Sequence, residues 1–438
     1  MKVGILTMFN GLATVYSLVN VVADHIKMLL DEGIEVRLLV SEDLDLKERR
    51  GIFLDPRIEW VKVCNRFRGE QITWRDYSSP KVPIHDTFME EAETIGKDLV
   101  TKLEGLEVCM LHDILFQGWH LVHNVAVRYA AERLPELKFI AMTHSLPDES
   151  QVGQQVEWPH SARYSAMPNT IYVYPTKCGL KALSRQYRVP VERCHVLNNT
   201  LNLLENVCEE VLDLNRQVDL TSPDILIVYP ARFTTGKRFE KVAMLAGAIK
   251  SVSTYQVKVV FCEFPSMDIS ESEYKGIIRQ KGIESGLELE DMVFTSDCGY
   301  PDGMPRAAIL DLFTLSNLFI CPSFSESFGL TVLEAASRGN YLVLNEAVPA
   351  LEELGKNLEA YFMRWDARNF GFATQESYFP SEGAYYEEHG KKILIEMEHN
   401  HVVNAKMKVR KRYSTAWVFE NQLKQLLEQP DRHKDSRV

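Results

Sequence analysis

No run of about 18 or more apolar residues occurs anywhere in this 438-residue chain, so no membrane-spanning helix is expected. The opening Met1-Lys2-Val3-Gly4-Ile5-Leu6-Thr7-Met8 goes straight into a strand pattern. It lacks the apolar core and small-residue cleavage site of a secretory leader, and a cytoplasmic setting is the expectation. The eight cysteines are scattered, with no Cys-x-x-Cys spacing, so neither a zinc site nor a disulfide framework is implied. Reduced, mostly buried thiols are expected instead. Positive charge is also short. Lys and Arg number 49 against 61 Asp and Glu, a net charge of −12, which opposes approach to DNA, RNA or an anionic lipid surface. Two local exceptions stand out: the basic run Lys406, Lys408, Arg410, Lys411, Arg412, and the basic-aromatic stretch Arg66, Phe67, Arg68, Trp74, Arg75, Tyr77. Each reads first as a solvated face or loop, and second as a dock for a phosphorylated or polyanionic acceptor. There is no internal repeat and no low-complexity tract.

What the chain does have is enough apolar residue, 45%, to bury two cores, and two domains are the expectation at this length. Apolar strands alternate with helical patterns. In the first half the strands are expected at 3–8, 35–40, 58–63, 108–111, 139–142, 171–174 and 195–197. Helices are expected over 16–30, 87–104 and 177–187. A polar loop is expected over 65–86. The pattern restarts at Asp224. Strands then fall at 224–229, 257–262, 292–295, 318–321 and 341–344, separated by helices over 238–251, 274–284, 305–315 and 331–338. Strands joined by helical crossovers imply parallel sheets. The expected domains are 1–205, helped by a C-terminal helix at 413–428, and 222–400, with 429–438 a loose polar tail.

The most informative stretch is Cys321 to Gly339. The strand Leu318–Cys321 enters a turn holding Ser323, Glu326, Ser327, Phe328 and Gly329, and a helix follows with Leu330, Thr331, Glu334, Ala335 and Ala336. A strand-to-helix turn offers unpaired amides and the positive end of the helix dipole, a seat for phosphate. Glu326 and Glu334 would repel a bare phosphate. They make sense if the ligand also brings hydroxyl donors, as the ribose and hexose of a nucleotide-sugar do. Upstream, Arg232 and Lys237 lie on the loop after the first strand of the second domain, and two cations before a helix suit a diphosphate.

With these neighbours, the Glu-x7-Glu pair resembles the signature of retaining glycosyltransferases of the GT-B fold, family 4 (glycosyl transferases group 1). The resemblance implies an α/β fold of two Rossmann-like doubly wound domains facing across a cleft. It implies Arg232 and Lys237 on the donor pyrophosphate, Glu326 on sugar hydroxyls and Glu334 on the ribose. Ser327, Phe328, Gly329, Leu330 and Thr331 would line the donor site, and Gly11, after the first strand, would approach the donor phosphates. His144, at the end of the strand 139–142, resembles the family histidine beside the reacting sugar, while His112 and Asp113 would line the acceptor side. Three departures are visible. Gly11 stands where the family has a fuller glycine pair, Asn198-Asn199-Thr200-Leu201-Asn202 replaces the usual interdomain motif, and Asn340 follows Gly339 in place of proline.

The implied activity is metal-independent, retaining transfer of a hexose or pentose from a nucleoside-diphosphate sugar, a UDP-sugar first, to an acceptor hydroxyl. The implied mechanism is front-side and needs no protein nucleophile. No metal and no cofactor beyond this co-substrate are implied, since no Asp-x-Asp dyad stands in a suitable place. A small metabolite or a glycan is the expected acceptor. A modified base in DNA is the alternative, favoured by the basic run and opposed by the net charge; a GT-B nucleotide-sugar epimerase is another.

Overall fold

The computed structural model describes residues 1–72, 74–147, 154–266, 270–369, 372–374 and 382–428; the expected loose tail at 429–438 lies outside them. The chain divides into two units. One holds Met1–Leu201 and the segment from Thr415, and the other holds Asn202–Ser414.

In the first unit, β1 (Lys2–Leu6), β2 (Glu35–Ser41), β3 (Ile58–Val63), β4 (Val108–His112), β5 (Lys138–Met142), β6 (Thr170–Tyr174) and β7 (Cys194–Val196) form, among the described residues, one seven-stranded sheet. Every pairing is parallel, in the order β3-β2-β1-β4-β5-β6-β7. Side chains alternate between its two faces. Val3, Ile5, Val108 and Met110 enter one core, while Leu6, Cys109 and Leu111 enter the other. The helix α1 (Ser17–Asp31) buries Leu18, Val22, Ile26, Leu29 and Leu30 at helical spacing. It stops at Gly33, whose φ of 69° suits only a residue without a Cβ penalty. The Gly33 and Ile34 amides close back onto Leu30 O and Leu29 O at 3.1 and 2.9 Å.

The crossover helices α2 (Phe88–Leu103), α3 (Leu121–Arg133) and α4 (Leu180–Tyr187) follow. α3 was not expected. It is buried nearly all round, with His123, Asn124 and Arg128 inside, so it has no polar stripe to reveal it. The helical segment Thr415–Glu428 packs Val418, Phe419, Leu423 and Leu426 into this unit. Asn198 and Gln422 seal it with a reciprocal amide pair at 2.7 and 2.8 Å. The stretch expected as plain loop, 65–86, contains a short hairpin, Arg66–Phe67 with Glu70–Gln71, and buries Asn65 and Tyr77.

The second unit opens with α5 (Glu209–Gln217). Its strands are β8 (Ile225–Arg232), β9 (Val257–Phe264), β10 (Met292–Phe294), β11 (Leu318–Cys321), β12 (Tyr341–Asn345) and β13 (Tyr361–Met363). Among the described residues they form a six-stranded sheet in the order β10-β9-β8-β11-β12-β13, again wholly parallel. The apolar runs Ile225–Tyr229 and Leu318–Cys321 are buried on both faces, as a helix-covered parallel sheet requires. The helices α6 (Phe239–Ser251), α7 (Glu271–Glu284), α8 (Arg306–Leu315), α9 (Leu330–Ser337) and α10 (Pro349–Asn357) complete the doubly wound pattern. The chain therefore holds two Rossmann-like parallel-sheet domains of the α/β class. No described helix is long and apolar enough to cross a membrane.

Two helices beyond residue 380 were also not expected: α11 (Glu382–His399) and α12 (His401–Tyr413). α12 carries the basic run, of which Lys408, Lys411 and Arg412 are exposed, while Lys406 and Arg410 bind backbone carbonyls. Arg410 is buried, donating from Nε to Pro223 O at 2.8 Å, from Nη1 to Leu315 O at 2.8 Å, and from Nη2 to Leu220 O. Lys406 donates to Ser316 O and Arg338 O. Both cations satisfy carbonyls at or near the C-terminal ends of α8 and α9, where the helix dipole favours positive charge. Cysteine burial is less than expected: Cys109, Cys194, Cys262 and Cys321 are buried, Cys178 is exposed, and all eight are free.

Candidate functional site

In an open α/β sheet of order 3-2-1-4-5-6, ligands bind beyond the carboxyl ends of the strands, where the order reverses. In the second unit that point lies between β8 and β11. Their continuations meet there. β8 ends in Pro230-Ala231-Arg232, turns through Thr235–Lys237, and enters α6 after Arg238, whose φ is 55°. β11 ends at Cys321 and reaches α9 through the loop 322–329. The two loops are tied together. Phe324 N donates to Gly236 O at 2.8 Å, and the buried Tyr229 hydroxyl donates to Lys237 O at 2.6 Å. Asn345 Nδ2 holds Ser323 O at 3.1 Å.

Between them lies a cavity of about 440 Å³, lined by Tyr229, Pro230, Ala231, Arg232, Thr234, Lys237, Phe264, Cys321, Ser323, Glu326, Gly329, Leu330 and Thr331. Arg232 and Lys237, from one loop, share its wall with Glu326, which lies 89 residues beyond Lys237 in the chain. Lys237 Nζ is ion-paired with Glu326 Oε1. The Arg232 side chain is exposed and makes no hydrogen bond or ion pair with the described residues. Gly329 caps α9 at φ 91°, a conformation that strains any residue with a Cβ. A Cβ there would also meet Val332 at 3.2 Å and Leu351 at 3.3 Å. The first amides of α9, at Leu330 and Thr331, have no intrahelical partner by position.

Other sequence-picked residues stand apart from the cavity wall. Ser327 and Phe328 are exposed on the loop and do not line the cavity. Glu334 lies one turn along α9, and its Oε1 accepts from Arg306 Nη2 at 2.7 Å and Nε at 2.9 Å. Arg306 was not picked from the sequence; a lone arginine after Pro305 carries no motif. Phe264 was also missed. It is the register partner of Arg232 in the sheet, a relation that no spacing in the sequence encodes.

In the first unit the switch point lies between β1 and β4, and the remaining candidates fall at or beside these strand ends. His112 ends β4, and Asp113 follows with φ 58°. Asp113 Oδ1 accepts the His144 amide at 2.8 Å. The His112 and His144 rings stack at 5.2 Å, with Nδ1 of His112 3.1 Å from Nε2 of His144. His25 of α1, which the sequence did not single out, packs 5.3 Å from His112. Burial, and then the neighbouring His144, bring the His25 imidazole down to about 3. Burial also pushes His112 well below the ordinary value. His144 is lowered by burial, with Asp113 opposing. The cluster is therefore neutral at pH 7. Gly11 sits in the loop after β1, whose next amide, Leu12 N, already donates to Glu48 Oε2 at 3.0 Å. That carboxylate sits 3.4 Å from where a Cβ on Gly11 would be.

No curated protein matches the sequence. Among solved structures, Anabaena Alr3699/HepE in complex with UDP is 12% identical, covering 97% of this chain and 99% of that one, with a TM-score of 0.35. Sucrose-phosphate synthase from Thermosynechococcus elongatus is 13% identical over 98% and 99%, also with a TM-score of 0.35. A glycosyltransferase from Rickettsia africae is 13% identical over 98% and 100%, with a TM-score of 0.36. Likenesses this loose add nothing to what the strand order establishes. The stretch from 213 to 363, which spans every strand of the second sheet, matches the family model described as Glycosyl transferases group 1, and the second unit thus carries a domain of that group.

Proposed function

We propose that the second unit binds a nucleoside-diphosphate sugar, and that the protein transfers the sugar to an acceptor hydroxyl with retention of anomeric configuration. The observation that carries this reading is the convergence of Arg232, Lys237, Glu326 and the start of α9 on one cavity at the switch point of a Rossmann-like sheet. The group 1 match over the same residues supports it.

The barrier in such a transfer is departure of a charged diphosphate from an oxocarbenium-like carbon. Groups fixed in place at the leaving oxygens lower that barrier most, because they need no reorganisation as charge develops. Arg232 supplies a guanidinium with no competing partner among the described residues. Lys237 supplies an ammonium that in the free protein rests on Glu326. When the diphosphate takes over Lys237, the Glu326 carboxylate is released to accept from sugar hydroxyls. The amides of Leu330 and Thr331 add donors, and Glu334 takes the ribose once Arg306 yields. In the first unit, His144 is an imidazole whose protonation burial disfavours, with its backbone amide held by Asp113 Oδ1 at 2.8 Å. The bond from the anomeric carbon to the diphosphate breaks with its electron pair on the phosphate oxygen. The acceptor oxygen forms the new bond on the same face, and its proton passes to the departing phosphate. No metal is assigned a role.

The test is a thermal-shift screen of UDP-, GDP- and ADP-sugars, followed by NMR of the product's anomeric proton, because a ligand of the native state raises its stability by mass action. An α-donor giving an α-linked product supports the reading. Conversion of the donor to another nucleotide-sugar without an acceptor would make the protein an epimerase. If no nucleotide-sugar stabilises the fold, the proposal falls.

A further inference from the structure

A second cavity, of about 240 Å³, lies wholly within the first unit, between the hairpin at 66–71 and the first turn of α2. The hairpin turns through Arg68 and Gly69, both at positive φ (52° and 85°), the geometry of a two-residue turn matched to strand twist. Its position is fixed from behind, since Gln71 Nε2 donates to Asp43 Oδ2 at 2.9 Å, and the buried Asn65 donates to the same oxygen at 3.1 Å.

One wall is a continuous chain of polar contacts. The buried Tyr77 hydroxyl meets His85 Nδ1, and Arg75 lines the same cavity. His85 Nε2 lies 2.9 Å from Glu91 Oε2, and the Thr87 hydroxyl donates to Glu91 Oε1 at 2.6 Å. Such a network is stable only when every member is satisfied, and it holds its groups in fixed directions. Across the cavity, the Arg68 guanidinium rests 4.8 Å from the Phe67 ring centroid and donates to Glu90 Oε2 at 2.8 Å. Two groups are left with capacity. Arg75 makes no ion pair among the described residues, and the Glu70 carboxylate has no partner among them.

The charges on the wall decide the ligand class. Arg68 and Arg75 are balanced by Glu70 and Glu91, so a phosphate would face two carboxylates as well as two guanidiniums. The acidic first turn of α2 already answers its helix dipole. A neutral ligand with neighbouring hydroxyls suits the arrangement better. Each hydroxyl both donates and accepts, so it can meet Glu70 and Arg75 together, while Phe67 and Ile72 offer apolar surface to ring carbons. The geometry points to a monosaccharide-sized site for a neutral sugar in the first unit. We assign it to the sugar of a glycan or glycoside acceptor. That assignment rests on the transfer reading above, whereas binding of the sugar itself does not.

The experiment is calorimetric titration of the full chain with the methyl α-glycosides of glucose, galactose and mannose, with glucose 6-phosphate, and with UDP. At least one glycoside is expected to saturate. Arg75→Met and Glu70→Gln should each weaken it about tenfold, some 1.4 kcal/mol, while Lys237→Met leaves it unchanged. UDP binding should survive both first-unit substitutions, which also reports that those variants fold. The inference is overturned if no glycoside saturates, if neither substitution matters, or if Lys237→Met abolishes glycoside binding. It is equally overturned if the phosphate ester binds about tenfold more tightly than the neutral sugar. Glycoside failure with UDP binding intact removes this inference alone; failure of UDP to bind the wild type removes the donor reading.

Discussion

Replacing Lys237 by methionine separates two roles that one ammonium could play. Its side chain is 27% exposed and that of its partner, Glu326, is 18% exposed, so the pair is screened only in part. Removing the cation leaves a mostly covered carboxylate without its ion pair, which costs about 1–3 kcal/mol. Glu326→Gln in the same chain removes the stranded charge, so the double variant should recover most of that stability. Donor binding should behave differently. A charge-assisted contact to phosphate contributes about 1.5–3 kcal/mol, so Lys237→Met should weaken UDP-sugar binding by about 10- to 100-fold. The double variant should stay as weak, because a glutamine cannot replace a cation at a diphosphate. Urea melts and calorimetry on the wild type, both single variants and the double complete the cycle. A double variant that binds donor as the wild type does would refute the argument, since Lys237 would then serve only to neutralise Glu326.

Gly329→Ala should destabilise the second unit by about 1–3 kcal/mol, from left-handed strain at φ 91° and contacts at 3.2 and 3.3 Å, read as a lower urea midpoint. Arg410→Met strands three carbonyls held by a buried guanidinium and should cost about 3–5 kcal/mol, while the exposed Lys408→Ala leaves the melt unchanged; equal effects would restore the basic run as a surface feature. His25 is held neutral in the fold, down to about 3, so below pH 6.5 the unfolded chain takes up a proton that the folded chain refuses. Its contribution is whole above pH 6.5 and is lost as pH falls towards 3, by about 2 kcal/mol at pH 5. Urea melts from pH 8 to 5 should show this slope in the wild type and a shallower one in His25→Phe.

Much of the fold was legible because buried parallel strands are continuous apolar runs. Ile225–Tyr229 and Leu318–Cys321 declare themselves without neighbours. α3 and the pair α11 and α12 were not legible. α3 hides its polar residues inside, where Asn124 and Arg128 hydrogen-bond backbone carbonyls, and periodicity reads such residues as surface. Arg410 misled in the same way: a cation in a basic run looks solvated until the carbonyls it satisfies are in place.

By itself the sequence determined the alternation of strand and helix, and the turn after Cys321, because these rest on local spacing and on residue types whose backbone preferences act over a few positions. Tertiary structure alone decided that Lys237 and Glu326, 89 residues apart, meet as an ion pair, and that Phe264 stands beside Arg232. It also decided that His25 joins His112 and His144. Those contacts depend on which strands lie side by side in the sheet, and strand order follows from burying two faces under helices rather than from any one stretch of chain.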